Sequence, residues 1–438
     1  MLRELGIRGI RVDVSSVCNM NCEYCFIPKS KVMRKLQIDV FNSLDKAEKW
    51  LKEASSLTLW GAEPAFGLIR VADILQSGDY YFNEIYFATN MTVSPKIYLQ
   101  ALKKFNGKTR KVRLQVSLDG YKEMHERTRG KTWDRIVNNT KELVRAMNDV
   151  DISYELNIKF NTVVDANSIA WLAEDLARVD KWYQFFDEFV GELESISTNP
   201  NVKIGKPLSP NIAVPGKYTK QDGINFAKVV RRYIDNGYTF GQFYRFVQLL
   251  KRPTDAIDKA NKGNASCGAV FGSIGYDRGT FHPCHRTYWL QDDEYVEDVI
   301  KNYEDWWTSR ADRATIENVR RHIVSEDDEY RLKRMLYTLG ATQIYPQLSF
   351  NYSYAMVKML AKAGLISKIY LEKDWLARLL ALYTAMGIRC VMENWIVTGS
   401  VHITPASYFK LLGNGAFELL VEHHKKEVLG AWRKAYSK

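Results

Sequence analysis

Cys18-Asn-Met-Asn-Cys22-Glu-Tyr-Cys25-Phe26 follows the first predicted strand and carries three of the six cysteines of the chain. Three thiolates this close together can bind three irons of a single cubane cluster and leave its fourth iron open. Thiolates also suit zinc, but a structural zinc site takes four protein ligands, and no fourth cysteine or histidine lies nearby in the sequence. The loop therefore predicts an iron–sulfur cluster held by Cys18, Cys22 and Cys25.

Around this loop, the first 190 residues alternate apolar, β-branched runs with amphipathic stretches. The alternation predicts parallel strands joined by helices, and the loops after the carboxyl ends of such strands build the site. Helices such as Asp39–Ala54 and Trp133–Met147 are predicted between the strands, which gives an α/β fold, a partial parallel (β/α)6 barrel. The six predicted strands are Gly9–Ser15, Ser56–Gly61, Glu84–Asn90, Val112–Asp119, Ser153–Val164 and Trp182–Phe189.

The chain changes in composition after the predicted barrel. From Ser195 to Gly216 it is polar and contains four prolines, which predicts a linker or long loop. Helices are predicted at Thr219–Asn236 and Gly241–Lys251, and beyond Asn302 the pattern is helical almost to the end. We therefore predict three regions, a barrel at 1–195, a linker and hairpin region at 196–300, and a helical carboxyl-terminal region at 301–438.

Composition narrows the class of protein. With 438 residues, 46% of them hydrophobic, the chain can bury the core of one large or two moderate domains. It has no run of 18 apolar residues, and charged Arg3 and Glu4 follow Met1, so we expect a soluble, cytoplasmic protein without a membrane partner. The formal net charge of +11 indicates either a polyanionic partner or a basic surface.

The cysteine spacing resembles the hallmark of the radical S-adenosylmethionine (radical SAM) superfamily, with aromatic Phe26 beside the third cysteine. The resemblance implies a 4Fe-4S cluster whose open iron chelates the methionine part of S-adenosylmethionine. An electron from the cluster then breaks the sulfonium bond and gives a 5′-deoxyadenosyl radical, a reaction that belongs to the cofactor. The resemblance also implies an external one-electron reductant such as flavodoxin or ferredoxin.

Further motifs follow in the order that this family shows. Gly61-Ala62-Glu63-Pro64 is similar to the family's Gly-Gly-Glu-Pro, which meets the methionyl amino group, and Thr89-Asn90-Met91-Thr92 resembles Thr-Asn-Gly-Thr. Ser117-Leu118-Asp119-Gly120 resembles the segment that binds the ribose. His125-Glu126 with Arg129 resembles a pattern whose arginine can pair with the methionyl carboxylate. The residues that the resemblance assigns to S-adenosylmethionine are Gly61, Ala62, Glu63, Asn90, Ser117, Asp119 and Arg129.

A second cysteine pair, Cys267 and Cys284, looks like the opening of a SPASM or twitch extension, in which a β-hairpin supplies ligands to an auxiliary iron–sulfur cluster. Those families add further cysteines, whereas here only Cys390 remains, with His282 and His285 beside Cys284. Three interpretations stay open: one auxiliary cluster bound by Cys267, Cys284 and Cys390, ordinary buried thiols on a decayed hairpin, or zinc. The predicted fold is thus a partial barrel, a small SPASM-like or twitch-like hairpin extension and a helical carboxyl-terminal region.

The resemblance also suggests a substrate. SPASM relatives mostly modify peptide or protein side chains, so a peptide or protein is the first hypothesis, although we see no amino-terminal extension for leader-peptide recognition. A nucleobase in DNA or RNA is the alternative, because basic stretches can bind phosphates and aromatic rings can stack on an extruded base. These stretches contain Lys103, Lys104, Lys108, Arg110, Lys111 and Arg113, and in the tail Lys425, Lys426, Arg433 and Lys434. A non-enzymatic binding module on the same fold is the third hypothesis.

Several polar residues late in the predicted barrel are weaker candidates. By strand alternation, Asn157, Asn161 and Gln184 are predicted to point into the lumen or rim, where they would orient a ligand, or else to be satisfied core residues. Asp187 and Glu188, at the end of the sixth predicted strand, are candidate proton acceptors.

Overall fold

The computed structural model describes residues 2–4, 7–25, 46–207, 210–212, 218–238, 273–277, 280–282, 346–381, 384 and 405–436. The predicted auxiliary ligands Cys267, Cys284 and Cys390 lie outside these residues, as do His285 and the side chain of His282. The predicted helix Gly241–Lys251 and the first part of Asp39–Ala54 also lie outside them.

The centre of the described structure is one sheet with the order β6-β5-β4-β3-β2-β1-β8-β9, and β7 pairs with β5. All neighbouring strands from β6 to β8 are parallel, and β8 and β9 form an antiparallel hairpin. This confirms the predicted α/β architecture with parallel strands. The strands are β1 Gly9–Asp13, β2 Ser56–Trp60, β3 Glu84–Thr89, β4 Lys111–Ser117, β5 Glu155–Val164, β6 Val202–Gly205, β7 Pro210–Ile212, β8 Ser273–Asp277 and β9 Thr280–His282.

Helices connect the strands and continue after them. A 3-10 turn, Pro64–Phe66, follows β2. Within the barrel region the helices are α1 at 46–51, α2 Leu68–Ser77, α3 Pro95–Lys104, α4 Lys122–Arg129, α5 Trp133–Met147, α6 Ala166–Glu174 and α7 Ala177–Ile196. The later helices are α8 Lys220–Asp235, α9 Pro346–Lys362, α10 Ile369–Glu372, α11 at 374–381, α12 Pro405–Leu412, α13 Ala416–His423 and α14 Lys425–Tyr436.

Side chains alternate strictly along the central strands, so the two faces of the sheet differ. In β4, Val112, Leu114 and Val116 are fully buried, whereas the residues between them are half-buried. The buried set joins one apolar core with the helices, whose inward positions recur every three or four residues. We call the opposite side, which carries residues such as Arg113, the inner face of the sheet.

The predicted sixth strand, Trp182–Phe189, is wrong. These residues belong to helix α7, and the buried side chains Trp182, Phe186, Phe189 and Leu193 recur with helical spacing. The sixth strand is β6, which pairs with β5 inside the stretch predicted to be a linker. On α7, Gln184 donates to Glu188 at 2.9 Å, and Asp187 pairs with Lys206 at 2.5 Å. These three residues therefore lie on a helix and do not form the rim of a sixth strand.

After the barrel region the described structure contains a hairpin and then helices. A β-hairpin is present at β8–β9, and β8 extends the sheet beside β1 with Gly9 opposite Ser273. The described residues beyond it form helices joined by short turns, and α8, which precedes it, packs against α6, α12 and α13. None of the helices in the described ranges is long and apolar enough to cross a membrane.

Candidate functional site

The loops after β1, β2, β3 and β4 all lie at the carboxyl edge of the sheet. They carry the cysteine loop, Gly61–Pro64, Thr89–Thr92 and Ser117–Gly120. Because the strands are parallel and adjacent, these loops converge. Hydrogen bonds join them directly: Glu63 N–H donates to Val17 O at 3.0 Å, and Asn90 Nδ2 donates to Asn19 Oδ1 at 2.9 Å.

The three cysteines of the first loop are half-buried and form no disulfide. Met20 N–H and Asn90 Nδ2 approach the sulfur of Cys18 at 3.4 and 3.6 Å, and Arg129 Nη1 approaches that of Cys22 at 3.8 Å. N–H donors and a cation beside sulfur stabilise the thiolate, which is the form that binds iron. The donor set therefore fits an iron–sulfur cluster.

The cysteine loop can also be compared with a site for a single metal ion. No group of three or more histidines, cysteines, aspartates or glutamates among the described residues converges around one metal ion. In a cubane each thiolate binds a different iron, so the sulfurs of Cys18, Cys22 and Cys25 need not meet at one point.

Gly61 fixes how closely the loops after β1 and β2 approach each other. Its φ is +134°, and a Cβ atom at this position would lie 2.3 Å from Ser15 O. The next residue, Ala62, donates its N–H to the same carbonyl at 2.8 Å. Only glycine combines this backbone conformation with this approach, so the turn itself dictates the first residue of the Gly-Ala-Glu-Pro segment.

Glu63 joins the loops after β2 and β3. Its carboxylate is buried and accepts hydrogen bonds from Ala65 N–H at 3.0 Å, Thr89 Oγ1 at 2.7 Å and Asn90 N–H at 2.7 Å. Burial raises the pKa of this carboxyl, and the three hydrogen bonds oppose that rise. In this structure Glu63 therefore holds the Thr89–Thr92 loop in place.

Met91 stands where the family motif has glycine, and it keeps a glycine-like conformation. Its φ is +57°, and among the described residues it is the one non-glycine with a positive φ. The side chain is fully buried, and Asn139 Nδ2 holds the strained turn by donating to Met91 O at 2.9 Å and Val93 O at 3.1 Å. The replacement therefore preserves the course of this loop.

Asp119 and Arg129, both assigned to S-adenosylmethionine from the sequence, contact each other. Arg129 Nε donates to Asp119 Oδ2 at 2.8 Å, and their side chains are only 7% and 1% exposed. Thr128 Oγ1 and the hydroxyl of Tyr24 also donate to Oδ2, and Val163 N–H donates to Oδ1 at 2.9 Å. Asp119 thus acts as the centre of a buried network that reaches the cysteine loop.

Tyr24 and His125 complete this network. Both belong to motifs that the sequence analysis named, but those motifs did not indicate these contacts. Burial raises the pKa of Tyr24 well above its usual value, so its hydroxyl keeps the proton that it donates to Asp119. Burial lowers the pKa of His125 to about 4, so the ring is neutral near pH 7. Its Nδ1 accepts from Asp119 N–H at 3.3 Å, which leaves Nε2 to donate to Thr132 Oγ1 at 3.0 Å.

The remaining sequence candidates lie nearby on the same edge. Ser117 is half-buried at the end of β4 and stands opposite Asn161 of β5 in register. Asn157 lies lower on the inner face of β5, where its side chain donates to Glu155. Both asparagines therefore have the strand positions that alternation predicts.

Residues 12–160 match the sequence model of the Radical SAM superfamily. These residues form a radical SAM domain. The domain includes every residue that was predicted to bind the first cluster or S-adenosylmethionine, and it marks the protein as an enzyme that uses radical SAM chemistry. The match ends before Cys267, so it does not extend to a SPASM or twitch subgroup. A comparison with curated protein sequences finds no match.

Proposed function

We propose that the protein cleaves S-adenosylmethionine reductively at a 4Fe-4S cluster held by Cys18, Cys22 and Cys25, and abstracts a hydrogen atom from a peptide or protein side chain. The observation that supports the cluster is the loop of three half-buried thiols within a radical SAM domain, with N–H donors at Cys18 and Cys22. When bound, the cluster and S-adenosylmethionine supply the electron and the 5′-deoxyadenosyl group for the abstraction.

We assign the surrounding residues of this chain to binding and orientation. Gly61, Ala62, Glu63 and Asn90 would line the methionine part, and Ser117 would line the ribose. Asp119 fixes the Nε side of Arg129, so the guanidinium is held in one orientation, with Nη1 toward Cys22. A fixed guanidinium beside the cluster loop suits the carboxylate that the resemblance assigns to it.

The hairpin supports the peptide part of the proposal. The resemblance to SPASM or twitch proteins rests on the segment from Cys267 to Cys284, and a β-hairpin is present within it at β8–β9. We include one auxiliary cluster with Cys267, Cys284 and Cys390 in the proposal, and an external flavodoxin-like or ferredoxin-like reductant.

Nucleobase modification is the less supported alternative, because four of the six residues of the basic stretch at 103–113 are engaged locally. Lys104 pairs with Asp73, Lys111 with Glu155, and Arg113 with Glu84. Lys108 donates to Gly78 O at 2.6 Å. The members also lie on a helix, a loop and a strand, and not along one element.

The test is formation of 5′-deoxyadenosine by the anaerobically reconstituted, reduced protein. We expect the wild type to form it and Cys22→Ala to lose it. Asn21→Ala is the matched control, because Asn21 is exposed on the same loop and should be silent. If Cys22→Ala formed 5′-deoxyadenosine at the wild-type rate, the cluster assignment would be wrong, and a wild type that forms none would favour a binding module.

A further inference from the structure

The inner face of the sheet carries a row of polar and charged side chains below the carboxyl edge. Strand register aligns one set of these residues across β1 to β6. A second set, from β4, β5 and β6, lies one level closer to the carboxyl edge. The first level holds Arg11, Thr58, Tyr86, Arg113, Asn157 and Lys203, and the second holds Gln115, Lys159 and Gly205. The helices of the barrel region pack on the other face.

Acidic partners stand low on this face, away from the cysteine loop. In β3 to β6 they are Glu84, which pairs with Arg113 at 2.7 Å, and Glu155, which pairs with Lys111 at 3.1 Å. Both acids lie at the amino-terminal ends of their strands. Between the level of Arg113 and the carboxyl edge, these four strands carry one charged residue on the inner face. That residue is Lys159.

Lys159 is half-buried and makes no hydrogen bond or ion pair with the part of the chain that the structure describes. Gln115 lies beside it on β4, and Gly205 lies beside it on β6. A Cβ atom at Gly205 would already lie 3.7 Å from Lys159 Cγ and Cε, so the glycine leaves space along the lysine stem. A half-buried ammonium group that has no carboxylate partner among the described residues is a natural anion site.

The height of Lys159 on the strand matches the proposed chemistry. It lies two residues before Asn161, which stands opposite Ser117 at the end of β4. Two residues of a strand span about 7 Å. If Lys159 bound an anionic group of a ligand, the neighbouring atoms of that ligand would therefore lie level with the cysteine loop and the other loops of the carboxyl edge.

Arg113 and Tyr86 form the lower wall of the same site. The Arg113 guanidinium lies 5.8 Å from the centre of the Tyr86 ring, and Tyr86 Oη donates to Gln115 Oε1 at 3.1 Å. Burial raises the pKa of Tyr86 to about 12, although the nearby Arg113 and Arg11 charges oppose the rise. The hydroxyl therefore stays a donor, and it holds the Gln115 amide with its NH2 group available to a carboxylate.

We propose that the inner face binds a carboxylate of the substrate peptide, with Lys159 as the anchoring cation and the Gln115 amide beside it. The proposal rests on the peptide modification proposed above and narrows it to peptides with an aspartate or glutamate next to the modified residue. A peptide fits better than a nucleic acid, because this cation lies within the sheet and because Lys104, Lys111 and Arg113 of the basic stretch already pair with carboxylates of the chain.

The experiment uses the full, reconstituted protein and three probes of equal length. They are a random peptide pool rich in aspartate and glutamate, the same pool with asparagine and glutamine instead, and a random single-stranded oligonucleotide pool. Fluorescence anisotropy of the labelled pools measures binding, and 5′-deoxyadenosine formation measures coupling to the chemistry. We expect the acidic pool to bind more tightly than the amide pool and to stimulate 5′-deoxyadenosine formation more strongly.

Variants at one position test the assignment to Lys159. Lys159→Gln should weaken binding of the acidic pool by about tenfold, the size of one hydrogen bond to a charged group, and Lys159→Arg should retain most of it. Lys103→Gln removes an equal charge from an exposed position on α3 and should change nothing. Equal binding of acidic and amide pools, preference for the oligonucleotides, or an unaffected Lys159→Gln would each overturn the proposal.

The binding result is independent of the cofactor reaction. If the wild type forms no 5′-deoxyadenosine under any condition, the proposed function fails. The binding of the acidic pool and its loss in Lys159→Gln would still decide whether the inner face is an anion site.

Discussion

The carboxyl edge of the sheet and its inner face use polar groups in opposite ways. At the edge, Asp119 and Glu63 are buried, and each accepts several hydrogen bonds from neighbouring loops. On the inner face Lys159 keeps an unused ammonium group among the described residues. A fixed network suits a cofactor that is the same in every turnover, and spare bonding capacity suits a substrate that must enter and leave.

The largest effect on stability should come from removing the charge of Asp119, the centre of the buried hydrogen-bond network at the carboxyl edge. Asp119→Asn leaves the Arg129 guanidinium buried without its carboxylate and should lower the free energy of unfolding by about 3–5 kcal/mol. Asp134→Asn breaks the exposed pair with Lys122 and serves as the control, with no measurable change expected. Urea denaturation followed by circular dichroism measures both variants, and equal stability of the two would contradict a structural role for Asp119.

A slightly smaller effect is expected where two loops meet at the edge. Gly61→Ala combines a left-handed backbone with a Cβ placed 2.3 Å from Ser15 O, and we expect a cost of about 3 kcal/mol. Gly107→Ala has a φ of +72° and no atom within 4 Å of the new Cβ, so it should cost only about 1 kcal/mol of backbone strain. The difference between the two midpoints in urea measures the close approach to the loop after β1 together with the less favourable φ of Gly61, and similar midpoints would show that the loops can separate freely.

The smallest effect near pH 7 concerns His125. Its pKa in the folded protein is about 4, lower than in the unfolded chain, so the unfolded state takes up the proton first as the pH falls. The contribution of neutral His125 to the free energy of unfolding is fully present above pH 6.5. It is lost as the pH falls from about 6.5 to 4, and it amounts to about 3 kcal/mol in total. His125→Gln should show a shallower decline in unfolding free energy over this range, and an unchanged slope would mean that the ring is charged when folded.

The sequence predicted five of the strands because of their apolar alternation, and four of the five also end in a motif. It failed at α7, where Trp182, Phe186 and Phe189 are residue types common in strands, although their spacing is helical. It also missed β6, a four-residue strand with an exposed Lys203 and little apolar signal. Short polar strands are specified by pairing with a neighbour, here β5, and not by their own pattern.

The candidate site, like the fold, was only partly predictable from the sequence. The motifs located the loops, because each lies at the end of a strand, but the contacts between loops depend on long-range packing. Nothing in the spacing of Asp119, Arg129 and Tyr24 indicated that they form one buried network. Likewise, the sequence marked the glycine missing at Met91, and only the backbone shows that its left-handed conformation is retained. The three-region division and the auxiliary cysteines Cys267, Cys284 and Cys390 stay predictions.

The most direct test of the proposed edge chemistry is the electron paramagnetic resonance spectrum of the reduced, reconstituted protein before and after addition of S-adenosylmethionine. We expect the signal of a reduced 4Fe-4S cluster that changes on addition, because one iron is open, and that is lost in Cys22→Ala. A cluster signal that ignores S-adenosylmethionine, or that persists unchanged in Cys22→Ala, would contradict the assignment of the cysteine loop.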